Sequence, residues 1–274
     1  MQMRLKNGKT KVLTLSYDDG VVQDIRLIEI MDKHGLKGTF NINSGRYLSE
    51  DTVRERFYGR LKLSEAQQLY TNSGHEVAVH ALTHPSLEKL DTAEIIYEIT
   101  EDRKAIERHY GTIARGMAYP YGAYSEKVID VLEKCQIAYA RTVESTYAFR
   151  FPENWLKLHP TCHHNYEKLD ELIKRFVETP NRFNHPEMFY LWGHSYEFDR
   201  HDNWDVIEKF AVYAGGHEHI WYATNIEIYD YVKAYERLQT SYDKRIICNP
   251  SSIDVWVDVQ GEVYCVKAGE TINI

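Results

Sequence analysis

Two histidines and two acids of this chain have the residue types and spacing of a catalytic metal site. His80 and His84 are four residues apart, so one helical turn would place both imidazoles on a single face, as two ligands of one ion require. Asp18 and Asp19 are adjacent, and neighbouring carboxylates are both stable as anions only when a cation or an arginine is close. We therefore expect one acid to bind the ion and the other to act as a base. Two histidines and one carboxylate leave coordination positions open for water and substrate, as catalytic sites do.

Such a site needs a scaffold that brings distant segments together, and the chain has the pattern of one. Short runs of β-branched and aromatic residues alternate with amphipathic stretches of helical spacing. The predicted strands are KVLTLSY (11–17), GTFNIN (38–43), HEVAVH (75–80), RGMAYP (115–120), IAYART (137–142), WLKLHPT (155–161), MFYLWGH (188–194) and IWYATN (220–225). The predicted helices are residues 21–35, 63–74, 91–111, 125–135, 166–179, 203–215 and 227–239. Ser64 is the expected N-cap of the second helix, and Asp91 and Gly111 bound the third.

The alternation of strands and helices predicts an α/β fold. Strands separated by helices of this length pair in parallel, because a crossover returns each strand in the same direction. About eight such units favour a (β/α) barrel over an open sheet. Residues 245–274 instead alternate with period two around turn signals, which predicts an antiparallel appendage. The predicted domains are therefore a barrel over residues 1–240 and a β-strand appendage over 241–274.

The polar residues described above fall where a parallel barrel places its active site, at the carboxyl ends of strands. Asp18 and Asp19 follow the first predicted strand, His80 and His84 end and follow the third, and His194 ends a later one. We expect these side chains to meet at one mouth of the barrel.

The composition excludes several classes of protein. The 274 residues carry 33 Lys and Arg against 41 Asp and Glu, a net charge of −8, which argues against nucleic acid or an anionic membrane as the main partner. No apolar stretch approaches the roughly 20 residues of a membrane helix, and the first residues lack the pattern of a signal peptide. The four cysteines are scattered, so we expect ordinary thiols. A cytoplasmic location is the resulting expectation.

Three motifs carry a resemblance to a known family. SYDDG (16–20), HEVAVHALTH (75–84) and AYPYGAYS (118–125) resemble, in order and spacing, the first three motifs of the polysaccharide deacetylases of the NodB-homology type, carbohydrate esterase family four. The resemblance covers about residues 10–235. It implies a distorted (β/α) barrel of seven to eight units with a small C-terminal β appendage, and removal of N-acetyl groups from a carbohydrate.

The resemblance also implies a role for each site residue. The three implied metal ligands are Asp19, His80 and His84. Asp18 would be the general base, the backbone N–H of Tyr121 would hold the oxyanion, and His194 would protonate the leaving amine. The ion would polarise the acetamide carbonyl and lower the pKa of water. Zinc is the first choice for this ligand set, and cobalt, nickel or iron are alternatives.

The chain departs from the family pattern in three places. Ala118 stands where many members have an arginine that pairs with the catalytic acid, and Arg141 is a candidate to replace it. The usual acid of the fourth motif, which orients the catalytic histidine, is absent, and Glu144 is only a poor match. Trp192 occupies a position where the family has leucine, so the wall around the acetyl methyl group should differ.

Further residues are candidates for contact with substrate. They are Tyr119, Pro120, Trp192, His163, His164 and Glu197. Alternatives remain open, because paired histidines in a polar loop are often solvated and could instead bind a second ion, whereas Glu197 could fix the His194 imidazole. His217 and His219 precede a strand at the opposite end of the barrel, so we expect structural roles for them.

The sequence thus predicts a cytoplasmic, metal-dependent deacetylase of a soluble mono- or oligosaccharide. One alternative keeps the barrel and hydrolyses another non-peptide C–N amide bond, and a second is a barrel that binds a sugar without turnover. The expected partner is a small molecule or oligosaccharide with an N-acetyl or other amide group, with no nucleic acid and no membrane. The oligomeric state stays open.

Overall fold

The fold is taken from a computed structural model that describes residues 1–53, 59–181 and 185–274. In chain order its strands are β1 (Gln2–Arg4), β2 (Lys11–Asp18), β3 (Gly38–Ile42), β4 (Glu76–Val79), β5 (Gly116–Ala118), β6 (Tyr139–Arg141), β7 (Cys162–His163), β8 (Glu187–Gly193), β9 (Ile220–Tyr222), β10 (Gln239–Thr240), β11 (Ile246–Cys248), β12 (Val255–Val259), β13 (Glu262–Val266) and β14 (Thr271–Asn273). Its α-helices are α1 (Asp24–Lys33), α2 (Leu63–Tyr70), α3 (Thr92–Tyr110), α4 (Glu126–Lys134), α5 (Leu169–Glu178), α6 (Tyr196–Arg200), α7 (Trp204–Ala214) and α8 (Asn225–Glu236). In the described ranges, every helix is too short or too polar to cross a membrane.

A curled parallel sheet forms the core, with β2 at its centre. Its strands follow the order β6-β5-β4-β3-β2-β8-β7. On one edge β2 pairs with β8, and on the other it pairs with β9 over residues 11–13 and with β3 over residues 15–18. Every residue of β2 is buried, as expected for a strand covered on both faces. The predicted α/β class and distorted (β/α) barrel are confirmed.

The remaining strands form two small antiparallel sheets. One has the order β1-β12-β13 and the other the order β10-β11-β14. The chain's first strand therefore lies beside the C-terminal segment, and β10 precedes the predicted boundary at residue 241. The division into two domains stays a prediction.

Most predicted elements are present, with local corrections. In α3, Asp91 and Glu94 form a capping box, and Gly111 with a φ of 65° ends the helix as expected. The N-cap of α2 is Lys62 rather than Ser64, because the Glu65 carboxylate accepts the Lys62 backbone N–H at 2.9 Å. The predicted strand over residues 155–161 is wrong, since this segment contains a short 3-10 turn and only an isolated bridge to β6.

A buried acid on α3 ties two site loops to the barrel. Asp102 is fully buried and accepts hydrogen bonds from the backbone N–H of His80 at 3.0 Å and from the N–H and hydroxyl of Ser44 at 2.8 and 2.6 Å. Burial raises the pKa of Asp102 to about 7 although these donors favour the anion. Asp102 therefore fixes the position of the backbone at His80, directly after the end of β4.

We expect Asp102→Ala to destabilise the fold more than Asp91→Ala, which removes the exposed N-cap of α3. The substitution leaves buried donors unpaired, so the free energy of unfolding should fall by about 2–4 kcal/mol. Asp91→Ala is the matched control and should cost about 1 kcal/mol. Urea titrations at one pH measure both, and equal losses would show that Asp102 is no tether.

Candidate functional site

Asp18 lies almost fully buried at the end of β2. Its Oδ1 accepts a hydrogen bond from Nδ2 of Asn41 at 2.9 Å, and its Oδ2 forms an ion pair with Nη2 of Arg141. The same Oδ2 is 3.8 Å from Nε2 of His80 and 3.9 Å from Nε2 of His194. Burial alone would raise the pKa of Asp18, but the charge of Arg141 and the two imidazoles lower it to about 2. Asp18 is therefore an anion at neutral pH.

Asp19 has a guanidinium partner of its own. Its φ of 87° turns the chain sharply away from β2. Oδ1 of Asp19 accepts a hydrogen bond from Nη2 of Arg60 at 2.9 Å, and Nη1 of Arg60 donates to the Asp19 carbonyl and, at 2.8 Å, to Oδ1 of Asn43. Both charged side chains are 7% exposed. The two adjacent anions are thus neutralised by two separate arginines.

The two histidines lie in the loop after β4, so the expectation of one helical turn is wrong. Positive φ angles at Ala81 (61°) and His84 (64°) fold this loop back on itself. The rings of His80 and His84 approach to 4.7 Å between centroids. The ligand-type atoms of Asp19 and the two histidines lie within 4.8 Å of one another.

This donor set fits a divalent metal ion. Nδ1 of His80 is 2.8 Å from the carbonyl oxygen of Ala118, so it carries the proton and leaves the Nε2 lone pair free. Burial lowers the pKa of both imidazoles, that of His84 to about 4. Both rings are therefore neutral near pH 7, which is the form that binds metals.

The site opens into a cavity of about 470 Å³, a size that suits a small ligand. The Tyr121 ring is 68% exposed and lies 4.5 Å from the His84 ring, and the residue's φ is 60°. Tyr119 and Trp192 border the cavity but are 1% and 8% exposed. The guanidinium carbon of Arg141 lies 4.4 Å from the Trp192 ring centre. Tyr121 thus presents the larger aromatic surface to a ligand.

His194 faces the cavity from the end of β8, and a cluster of side chains lies behind it. Its Nδ1 is 3.2 Å from Oε1 of Glu197. Oε2 of the same carboxylate is 3.1 Å from Nε2 of His163 and 2.9 Å from Nε2 of His164. His164 has no exposed surface, and the cavity wall, as far as the described residues form it, includes none of these three partners. Their positions do not support the expected contacts of His163, His164 and Glu197 with substrate.

Other candidate residues lie outside the cavity. Pro120 is buried in a short turn. Glu144 is exposed and accepts a hydrogen bond from the Tyr124 hydroxyl at 3.0 Å. Nε2 of His217 is 2.8 Å from a backbone carbonyl oxygen, and that of His219 is 3.3 Å from another. Their structural roles stay a prediction.

Sequence reasoning missed two residues of the site. Arg60 comes from a loop with no motif, and it reaches Asp19 because residue 60 pairs with residue 21 in an isolated bridge. Asn41 lies on β3 directly opposite Asp18 in the parallel register. The pairing of β2 with β3 could have indicated Asn41, because residues in register on neighbouring strands have adjacent side chains.

Known proteins match the segment that carries these motifs. A family model described as polysaccharide deacetylase matches residues 5–140. The peptidoglycan-N-acetylglucosamine deacetylase PgdA of Listeria monocytogenes is 26% identical over 127 residues, covering 46% of this chain and 24% of PgdA. A chitooligosaccharide deacetylase of Azorhizobium caulinodans is 28% identical over 123 residues, covering 44% of this chain and 52% of that protein. The chain therefore spans about a quarter of the length of PgdA and about half of the length of the chitooligosaccharide deacetylase.

A solved structure extends the likeness to most of the fold. A candidate polysaccharide deacetylase from Mycobacterium smegmatis superimposes with a TM-score of 0.60 and 15% identity, covering 86% of this chain and 95% of that one. At this identity the likeness concerns the fold alone. The family match includes the segments that supply Asp18, Asp19, His80 and His84. The segment of this chain over residues 5–140 therefore belongs to the polysaccharide deacetylase family.

Proposed function

We propose that this protein is a metal-dependent hydrolase that removes N-acetyl groups from a carbohydrate. One observation carries the proposal: a buried, ionised Asp18 and the imidazole of His194 lie 3.9 Å apart beside three converging metal-ligand atoms. An ionised acid that receives a proton and an imidazolium that donates one are what amide hydrolysis needs. The family match supports this reaction class.

Asp19, His80 and His84 would hold the ion. A bound divalent metal would polarise the amide carbonyl and lower the pKa of water. Arg60 keeps the Asp19 carboxylate oriented toward the two imidazoles. Zinc, cobalt, nickel and iron all suit two imidazoles and a carboxylate.

The remaining side chains supply the proton transfers. Asp18 accepts a proton from the attacking water, and Arg141 and Asn41 hold its carboxylate in place. The Tyr121 N–H would donate to the oxyanion. Nε2 of His194 then donates its proton to the leaving nitrogen. The C–O bond forms, the C–N bond breaks, and the products are acetate and an amino sugar.

The proposed substrate is a mono- or oligosaccharide with an N-acetylated amino group. The cavity is large enough for about one sugar unit, and Tyr121 offers an exposed aromatic ring beside it. The two relatives described above act, by their names, on N-acetylglucosamine of peptidoglycan and on chitooligosaccharides. N-acetylglucosamine oligomers are therefore the first substrates to assay.

Asp18→Asn should abolish turnover without releasing the metal. Loss of the proton acceptor should lower kcat by about 10²–10⁴-fold, because general-base catalysis contributes that much. Metal content by elemental analysis should equal that of the wild type, since Asp18 is not a proposed ligand. The exposed Asp205→Asn on α7 is the control and should retain full acetate release. An active Asp18→Asn enzyme would overturn the assignment.

His84→Ala should lose both the metal and acetate release. Chelation of the wild type should have the same effect, and added zinc or cobalt should restore activity to the wild type but not to the variant, because the ligand set is incomplete. Stoichiometric metal without acetate release from any N-acetylated sugar would favour another amide substrate. A wild type that binds no metal after reconstitution would contradict the proposal.

A further inference from the structure

One carboxylate is shared by three histidines behind the cavity. Glu197 lies on α6, three residues after His194, and its two oxygens face different partners. Oε1 is 3.2 Å from Nδ1 of His194, whereas Oε2 is 3.1 Å from Nε2 of His163 and 2.9 Å from Nε2 of His164. We propose that Glu197 is a positioning residue that holds the His194 imidazole with Nε2 directed at Asp18, and that His163 and His164 hold Glu197. This inference rests on the proposed function.

The cluster resembles a second metal site, but the tautomer of His163 and the spacing of the atoms argue against that role. Nδ1 of His163 accepts the backbone N–H of Asn165 at 3.1 Å, so in the neutral ring the proton is on Nε2, the atom that faces Glu197. A metal ligand has the reverse arrangement, which His80 shows by donating from Nδ1 to a carbonyl. The separations differ as well. Nitrogen and carboxylate oxygen are 2.9–3.1 Å apart here, too close to leave room for an ion between them, and 3.8 Å apart between His84 and Asp19.

Packing fixes the cluster in one arrangement. The His164 ring lies between the rings of Tyr17 and Phe198, at 5.7 and 4.2 Å between centroids. A Cβ on Gly193 would overlap the His164 ring, so glycine is required just before His194. Because His164 cannot move away, the carboxylate oxygen beside it has a defined position.

A second buried acid fixes the backbone next to His194. Asp24 on α1 is fully buried and accepts the Ser195 hydroxyl at 2.5 Å and the Tyr70 hydroxyl at 2.6 Å. The chain that joins His194 to Glu197 is therefore tied to the barrel at its first residue. Both the carboxylate and the imidazole are held by contacts that do not depend on a bound substrate.

Electrostatics give this arrangement a chemical consequence. Burial alone would raise the pKa of Glu197, but the close imidazoles of His163, His164 and His194 keep it far below its ordinary value, so the carboxylate is an anion. Burial would lower the pKa of His194, yet the hydrogen bond to Glu197 and the charge of Asp18 raise it above its ordinary value. The charge of Asp19 raises the pKa of His194 further, and His163 and Tyr196 also face this ring, at 6.5 and 5.2 Å between centroids. Glu197 thus favours the imidazolium that can donate a proton from Nε2.

The test compares Glu197→Gln with Glu167→Gln, an exposed acid on the loop after His164. The glutamine side chain removes the negative charge and can donate to Nδ1 of His194, which stabilises the wrong tautomer. We expect kcat for acetate release to fall by about 10²-fold or more, with KM within about two-fold, as when a histidine loses its carboxylate partner. The basic limb of the pH–rate profile should move to lower pH, because His194 loses its proton more readily. Glu167→Gln should leave the kinetic constants and the pH–rate profile unchanged.

A nuclear magnetic resonance titration of the ring nitrogens of His194 tests the inference independently of turnover. The wild type should show Nδ1 protonated throughout, and Glu197→Gln should lower the midpoint by about one pH unit. The side chain in Glu197→Asp is one methylene shorter, and the His194 midpoint of this variant should lie between those of the wild type and Glu197→Gln. If Glu197→Gln prevents folding, His163→Ala serves as the second variant, because it removes a partly exposed ring and keeps the Glu197 carboxylate. His163→Ala should reduce kcat only a few-fold.

Each outcome decides a separate point. An unchanged His194 titration in Glu197→Gln would overturn the positioning role. A fall in metal stoichiometry in Glu197→Gln, with Asp19, His80 and His84 intact, would show that the cluster is a metal site and would also overturn it. A wild type that releases no acetate would contradict the proposed function, whereas the ring-nitrogen titration would still decide the role of Glu197.

Discussion

The ion pair between Arg141 and Asp18 depends on the curvature of the sheet, and the geometry of the site depends on that pair. Arg141 ends β6 and Asp18 ends β2, with three strands between them. In a flat sheet, four spacings of about 4.8 Å would separate these strands by roughly 19 Å, which exceeds the reach of an arginine side chain. The sheet curls, so the guanidinium reaches the carboxylate across the barrel mouth. Because Arg141 is completely buried, removing either partner would leave an uncompensated charge in the interior.

Asp19, the second acid, also needs a cationic partner, and an arginine from a different part of the chain supplies it. Asp19 follows Asp18 directly, and its φ of 87° turns the chain sharply away from β2. Arg60 approaches from the loop before α2 and neutralises it. Separate guanidinium partners allow the two carboxylates to differ in role although they are adjacent. Asp18 is enclosed by Arg141 and Asn41, whereas Asp19 faces the histidines of the loop after β4.

The parts of this arrangement that could be predicted are those that local sequence determines. Strand periodicity, the Asp91 cap and the Gly111 terminus predicted the barrel elements, and the order of three motifs predicted that Asp18 and His80 meet. Arg60 could not be found in this way, because its contact depends on an isolated bridge between residues 21 and 60, which no local pattern indicates. The partner of His194 was left open for a similar reason. Glu197 is close in sequence, but its role follows from His163 and His164, which reach it only through the pairing of β7 with β8.

Charge explains why the two histidine clusters at this barrel mouth differ in chemistry. At the first, two arginines balance two aspartates and both imidazoles are neutral, so the side chains carry no net charge, and their lone pairs converge on an open cavity. A divalent ion there would create the positive charge that a developing oxyanion needs. At the second cluster one anion is surrounded by three imidazoles, and the proton on Nε2 of His163 points at the carboxylate instead of leaving a lone pair. A cation placed among these imidazoles would displace the close contacts that keep Glu197 ionised. Under the proposed function, the first cluster would activate water, and the second would keep a proton on His194, the proposed donor to the leaving nitrogen.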